Sequence, residues 1–309
     1  MASLTTSILL LSALAAPQQQ VSLWYGPGSY GGEDMAATVE LLRAHSGAVT
    51  NLLVYCGHSV GATGLEYDPK LGALCLEGGL LANVSALGIV PEIVVDSGSS
   101  NVTDYRRFFA NATANIAALV AEGGRFGAQG IHFDLEPQKG SPASTTEDSV
   151  LYAEFLRQAR DVFAAAKPRP MRLTVAVAEW CAMTKNYAPL AAATDRLMDM
   201  ETYNADSMRG WLQGDAYGGY YETFERQAGA AKAAPGLGGG NASCGDHACW
   251  STTAASGAAR LARAQADGVR EVAVFRIVQQ EGAQKMPQDW WWPLLEDFVV
   301  GRNISRRLF

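Results

Sequence analysis

Short runs rich in Val, Ile and Leu alternate with longer amphipathic stretches along most of the chain, and no other feature constrains the fold as strongly. Strand-like runs fall at 21–26, 50–56, 90–96, 130–136, 172–180, 196–203, 236–240 and 271–278. Helical spacing occupies 35–45, 104–122, 146–166, 207–234, 252–266 and 290–300. Strands this apolar are those covered by helices. Eight of them interleaved with helical sequence predict an α/β fold, a single-domain (β/α)8 barrel; an open doubly wound sheet usually has fewer strands. A length of 309 residues suits one such unit. The run at 236–240, Gly-Leu-Gly-Gly-Gly, has the poorest strand propensity of the eight.

Composition narrows the function. Apolar residues make up 48% of the chain, enough for a large core. The formal charge is −7 and no basic tract is present, which argues against nucleic acid as a partner. Residues 8–16 form an apolar run too short to span a bilayer, followed by Pro17 and three Gln, with Ala13 and Ala15 in an A-x-A pattern. The expected organisation is a signal peptide at 1–16, the barrel at 21–301 and a C-terminal tail at 302–309. A secreted or lysosome-like compartment follows, with no integral membrane segment and a monomeric chain. Sequons at Asn83, Asn101, Asn111, Asn241 and Asn303 permit glycosylation. Cys56 and Cys75 bracket one loop and Cys244 and Cys249 another, so both pairs could close local disulfides and leave Cys181 over. No C-x-x-C occurs and the four His are scattered, so no metal site is expected.

The segment Gly130-Ile131-His132-Phe133-Asp134-Leu135-Glu136-Pro137 carries the chemistry. Alternation puts His132, Asp134 and Glu136 on one face and Ile131, Phe133 and Leu135 on the other. The apolar face suits the helix layer, so the polar face points into the barrel with Glu136 at its C-terminal mouth, where barrel enzymes act. Two acids in one pocket tend to hold a proton, which supplies a general acid near neutral pH. The competing reading pairs Asp134 and Glu136 with Arg172 or Arg276 as structural salt bridges. On the sixth run the same alternation puts Asp199, Glu201 and Tyr203 on one inward face. On the third it joins Glu92 and Asp96, and on the fifth Trp180 could form a sugar platform. Tyr30, in the Gly-rich segment after the first strand, could line the cleft. Gly218-Gly219-Tyr220-Tyr221 suggests an aromatic rim, and Trp290-Trp291-Trp292 reads as core.

This segment resembles the fourth-strand signature of the family 18 glycoside hydrolases, the chitinases and endo-β-N-acetylglucosaminidases. Their D-x-x-D-x-D-x-E falls on Gln129, His132, Asp134 and Glu136. Their sixth-strand M-x-Y-D falls on Glu201, Thr202, Tyr203 and Asn204, and the eighth-strand Trp near Arg276. The resemblance implies a cofactor-free retaining hydrolase of β-linked N-acetylhexosamine glycans. Glu136 would protonate the glycosidic oxygen, the substrate's own acetamido carbonyl would attack, and Asp134 and Tyr203 would hold that group. His132, Asp96, Trp180, Asp199, Glu201, Asn204, Arg276 and Tyr30 would line the substrate site. His132 could hydrogen-bond Asp134 or be charged beside it, and Glu201 and Arg276 would make the floor more polar than the family's. Two alternatives stay open: a chitinase-like carbohydrate-binding protein, and a two-carboxylate glycosidase pairing Glu136 with Glu201 or Glu179.

Overall fold

The structure is a computed structural model that describes residues 19–26, 35–137, 143–203, 207–216, 218–239, 252–277 and 287–307. The proposed signal peptide, Tyr30, Asn204, Asn241, Cys244 and Cys249 lie outside the described residues. The strands are β1 (Gln20–Tyr25), β2 (Asn51–Gly61), β3 (Gly64–Tyr67), β4 (Val90–Ser97) and β5 (Gly130–Asp134). They continue with β6 (Arg172–Val177), β7 (Arg196–Asp199), β8 (Ala233–Gly238) and β9 (Glu271–Phe275). The helices begin with α1 (Met35–Ala44), α2 (Pro69–Glu77), α3 (Leu80–Ala86), α4 (Val102–Ala110), α5 (Ala112–Phe126) and α6 (Thr146–Ala164). The rest are α7 (Tyr187–Ala193), α8 (Met208–Gln213), α9 (Tyr221–Ala228), α10 (Ala254–Ala266) and α11 (Trp291–Val299). Every strand except β3 pairs in parallel with the next in order, and β1 pairs with both β2 and β9. Eight parallel strands therefore close into the expected (β/α)8 barrel. The short β3 folds back antiparallel on the extended end of β2.

Alternation along the strands produces two apolar cores. Ile93, Ile131, Phe133, Val175 and Leu197 face outward and pack with helix residues such as Phe155, Leu261 and Phe298. Trp24, Leu53, Val94, Ala176, Met198, Ala234 and Ala273 face inward and form a separate cluster. The alanines leave room inside the barrel for polar groups. At its N-terminal end the interior is ionic. Arg172 pairs with Glu92 at 2.8 Å and Glu271 at 2.9 Å, Arg196 lies 3.2 Å from Glu271, and Ser22 Oγ donates to Glu271 at 2.6 Å. Gly130 sits in this layer; a Cβ there would meet Glu92 Cγ and Arg172 Cβ, each at 2.9 Å.

Several element boundaries differ from the expectation. The stretch at 207–234 is α8, a glycine-containing connection and α9, followed by the start of β8. Gly214, Gly218 and Gly219 there have positive φ, which breaks the helix. The stretch at 104–122 divides at Asn111 into α4 and α5. The weak seventh run is a real strand, shifted to Ala233–Gly238. A Cβ at Gly236 would come 2.4 Å from the Asp199 carbonyl oxygen, so close approach of β7 requires the residue that lowers propensity.

Cys56 and Cys75 form a disulfide joining β2 to α2, and Cys181 is free and buried. Asn83, Asn111 and Asn303 are exposed; Asn101 is half-buried and caps α4 by accepting from Thr103 N at 2.9 Å. Trp291 and Trp292 are buried in the outer core. Tyr221 is also core rather than rim: fully buried, it stacks on Trp211 and donates to Asp267. Among the described residues no helix is long and apolar enough to cross a membrane.

Candidate active site

β5 places its residues as its alternation predicts. Ile131, Phe133 and Leu135 belong to the outer core, while His132 and Asp134 point inward and Glu136 follows at the mouth. Asp134 is buried and stands in register with Asp96 of β4. Tyr55, the inward residue of β2, donates its hydroxyl to Asp134 Oδ2 at 2.8 Å. The other carboxyl oxygen, Oδ1, is buried without a hydrogen-bond partner. Burial, then the charges of Glu136 and Asp96, push the Asp134 carboxyl well above the usual range, with Tyr55 opposing them. Asp96 is pushed up to about 6, by burial first and by Glu136 in addition. Burial and mutual repulsion thus favour the protonated form of both Asp134 and Asp96 at the ends of these adjacent strands.

Ser97 fixes the turn that follows. Its hydroxyl accepts from the Glu136 backbone N–H and donates to the Asp134 carbonyl oxygen at 3.4 Å. Glu136 itself is half-buried, and Trp180 Nε1–H donates to its Oε2 at 2.8 Å. Trp180 lies just beyond the end of β6 with 41% of its surface exposed, so the ring borders the mouth and also holds the Glu136 carboxylate.

His132 corrects the expectation. It does not serve Asp134: its Nδ1 lies 2.7 Å from Thr174 Oγ1, and Thr174 donates to Glu92 Oε2 at 2.5 Å. Thr174 therefore accepts, which assigns the imidazole proton to Nδ1. Burial, with Arg172 adding to it, lowers the His132 pKa to about 3, so the ring is neutral. Nor do Asp134 and Glu136 engage Arg172, which is committed to Glu92 and Glu271 at the floor.

The sixth-run expectation also fails in part. β7 stops at Asp199, and Glu201–Tyr203 form a turn of 3₁₀ helix, so strict alternation ends there. The inward residues are Met198 and Met200; Asp199 is in register with Val177, which belongs to the outer core. Asp199 and Glu201 are therefore not inward partners of Asp134. Asp199 Oδ1 accepts from Glu201 N at 3.1 Å, and the Glu201 carboxylate is buried with its Oε2 lacking a hydrogen-bond partner. Burial, then Glu179, raises the Glu201 carboxyl to about 7. Tyr203 does reach the barrel interior. It stacks on Phe275 with ring centroids 5.3 Å apart and borders the inner cluster. Arg276, the next residue, is half-buried with its guanidinium 5.7 Å from the Phe275 ring centre.

Tyr55, Ser97 and Phe275 are the site residues that sequence reasoning missed. Alternation within 50–56 and 271–278 carried the signal for Tyr55 and Phe275, since both share a face with inward residues. Among the described residues no group of three or more His, Cys, Asp or Glu could hold a metal ion.

At the level of sequence, no protein-family model matches the chain and no curated protein does. Solved structures match its fold. The spore cortex-lytic enzyme SleL of Bacillus cereus superposes with a TM-score of 0.66 at 15% identity, covering 91% of this chain and 74% of that one. The Group IV chitinase of Ostrinia furnacalis gives 0.67 at 13% identity, covering 91% and 99%. The class V chitinase of Nicotiana tobaccum gives 0.67 at 12% identity, also covering 91% and 99%. The chain shares the barrel fold of these enzymes.

Proposed function

We propose that this protein is a divergent member of the family 18 glycoside hydrolases that cleaves β-linked N-acetylhexosamine glycans, chitin-like or N-linked, by substrate-assisted catalysis. The observation that carries the reading is the pair at the end of β5: a buried Asp134 held by the Tyr55 hydroxyl, two residues before a half-buried Glu136 at the barrel mouth. Glu136 protonates the glycosidic oxygen as the acetamido carbonyl attacks the anomeric carbon. The oxazolinium so formed is then opened by water, with Glu136 returning as base, and configuration is retained. Asp134, held by Tyr55, orients the acetamido group, and Tyr203 hydrogen-bonds its oxygen. The fold likeness to chitinases supports this assignment, and one of them, from Ostrinia furnacalis, is also solved in complex with allosamidin.

A second carboxylate acting as nucleophile is less well supported. Glu201 is buried in the 3₁₀ turn that follows β7 and is not among the inward residues of the barrel, which does not suit the role that a two-carboxylate mechanism needs. The departure at His132 leaves the acid ladder shorter than the family's, and the polar Arg276 beside Phe275 favours a more polar glycan than plain chitin. The Cys56–Cys75 disulfide supports an oxidising, secretory compartment.

The test is a screen of chitin, chitooligosaccharides, N-glycans and peptidoglycan with the parent and Glu136→Gln. The variant is expected to lose hydrolysis by at least about a hundredfold while retaining sugar affinity. Equal turnover by both proteins would remove Glu136 from the mechanism. Sugar binding without product from the parent would leave a carbohydrate-binding protein.

A further inference from the structure

Glu136 has two carboxyl oxygens, and the acid/base cycle needs only one of them to carry the proton. The fold treats the two differently. Trp180 Nε1–H donates to Oε2 at 2.8 Å. An indole nitrogen donates and cannot accept, so the ring offers no partner to a proton on Oε2. It favours the form in which Oε2 is the carbonyl oxygen, the better acceptor of a neutral carboxylic acid. The same oxygen accepts equally well in the carboxylate, so the bond is compatible with both protonation states of Glu136. The acid proton then belongs on Oε1.

Packing does little to place the ring. Among the described residues Trp180 is the one aromatic in the set of exposed large apolar side chains. The backbone beneath it is fixed instead. Thr184, fully buried, accepts from Ala178 N at 3.2 Å and donates to the Ala178 carbonyl at 3.1 Å. Cys181 N donates to that carbonyl at 3.3 Å, and the Cys181 carbonyl accepts from Thr184 N at 2.9 Å and Lys185 N at 3.0 Å. The Cys181 side chain is buried with its Sγ 4.0 Å from the Leu135 carbonyl oxygen, which seats the connection after β6 against the segment carrying Glu136. On the other side, Ser97 holds the Glu136 backbone N–H. Two fixed backbones thus stand side by side, and the indole N–H joins their side chains.

We infer that Trp180 is a positioning residue that divides the labour between the oxygens of Glu136: with Oε2 held by the indole N–H throughout, Oε1 both delivers the proton to the glycosidic oxygen and takes one back from water. The inference rests on the reading of Glu136 as the acid/base. In the first half, the O–H bond of Oε1 breaks and its proton passes to the glycosidic oxygen. The bond from that oxygen to the anomeric carbon breaks as the acetamido oxygen bonds the same carbon. In the second half, the water oxygen bonds the anomeric carbon, the acetamido oxygen leaves it, and a water proton returns to Oε1. Because the indole bond persists, the carboxyl does not have to rotate between the two halves.

The test uses Trp180→Phe, which keeps a ring for stacking on sugar but has no N–H. Its kcat/KM is compared with the parent's on two substrates that share one sugar. The first is the glycan cleaved in the screen above, beginning with chitooligosaccharides. The second is the dinitrophenyl glycoside of the same sugar, whose aglycone departs without a proton. The variant is expected to lose about tenfold on the glycan and less than about threefold on the dinitrophenyl glycoside, because only the glycan needs an aimed proton. A ring that served only as a sugar platform would affect both substrates alike. Equal losses on the two, or no loss on the glycan, would overturn the inference. A second readout is independent of turnover. In ¹H–¹⁵N spectra the Trp180 indole resonance, identified by its loss in Trp180→Phe, should move upfield in Glu136→Ala; an unmoved resonance would also overturn it. If the parent cleaves no glycan, the proposed function fails on its own, and the indole resonance still decides whether Trp180 holds Glu136.

Discussion

Tyr55 and Ser97 show how much of this site is made by residues that carry no catalytic signature. Tyr55 satisfies one oxygen of a buried carboxyl whose other oxygen has no partner, and Ser97 pins the backbone on which Glu136 turns out of the strand. Removing the Tyr55 hydroxyl would leave both oxygens of Asp134 unpaired in a buried site. A hydrogen bond to a group that is charged or becoming charged contributes about 1.5–3 kcal/mol. Tyr55→Phe is therefore expected to lower kcat/KM by roughly 10–100-fold with the fold intact, as steady-state kinetics and circular dichroism would check. Loss of less than about twofold would mean that Asp134 does not depend on this bond. Asp134 and Glu136 were legible because they follow one another at a spacing of two along a short run, β5 and the residues just after it, and so declare a shared face. Tyr55 was not legible as their partner, since it lies 79 positions from Asp134 and only the closed barrel brings them together.

At the scale of elements, sequence patterning succeeded where strands are regular and failed where they end. β5 keeps its period of two through Asp134, so its inward and outward residues were read correctly. β7 stops after four residues, and a reading that extends its period to Tyr203 assigns Asp199 and Glu201 to the wrong surface. β8 was hard to see for the opposite reason: Ala-Ala-Pro-Gly-Leu-Gly has little strand propensity, yet the crowding of Asp199 and Tyr203 around Gly236 demands it. The β2–β3 hairpin went unread because its second strand is only four residues long and half-buried. The middle inward position of β5 supports a pH prediction. His132 has a folded pKa of about 3 against an ordinary value of 6.5, so between those limits the unfolded chain binds the proton and the folded one does not. Its contribution to stability is complete above pH 6.5 and is lost as pH falls towards 3. From pH 6.5 down to about pH 4.5 the loss is about 2–3 kcal/mol. His132→Asn, which can still donate to Thr174 but does not titrate, should unfold in urea with a correspondingly shallower decline over that interval. Parallel declines for parent and variant would mean that the ring titrates normally in the fold.

Across the whole molecule, the two ends of the barrel interior divide the work. The mouth collects Asp96, Asp134 and Glu136 without an ion pair from a described residue to Asp96 or Asp134. The floor pairs its charges and spans strands far apart in sequence: Arg172 of β6 meets Glu92 of β4 and Glu271 of β9, and Arg196 of β7 joins them. The alternation of strands and helices announced a barrel. It did not announce this floor: Arg196 and Glu271 each sit at the start of an apolar run and read as a solvated flank until closure turns them inward, and the sequence offers Arg172 to Asp134 and Glu136 rather than to Glu92 and Glu271. Gly130 belongs to the same logic, being small where Glu92 and Arg172 crowd the strand. Buried charges of this kind contribute little net stability as intact pairs, but removing one partner strands the others in a low-dielectric interior. Arg172→Met is accordingly expected to destabilise the protein by about 3–5 kcal/mol in urea denaturation. Adding Glu92→Gln and Glu271→Gln to it should restore part of that loss, since the stranded carboxylates are then gone. The floor lies at the opposite end of the barrel from Glu136, so the folded fraction of Arg172→Met should keep parent-like kcat. A large fall in kcat with little loss of stability would instead tie the floor to the mouth through Thr174 and His132.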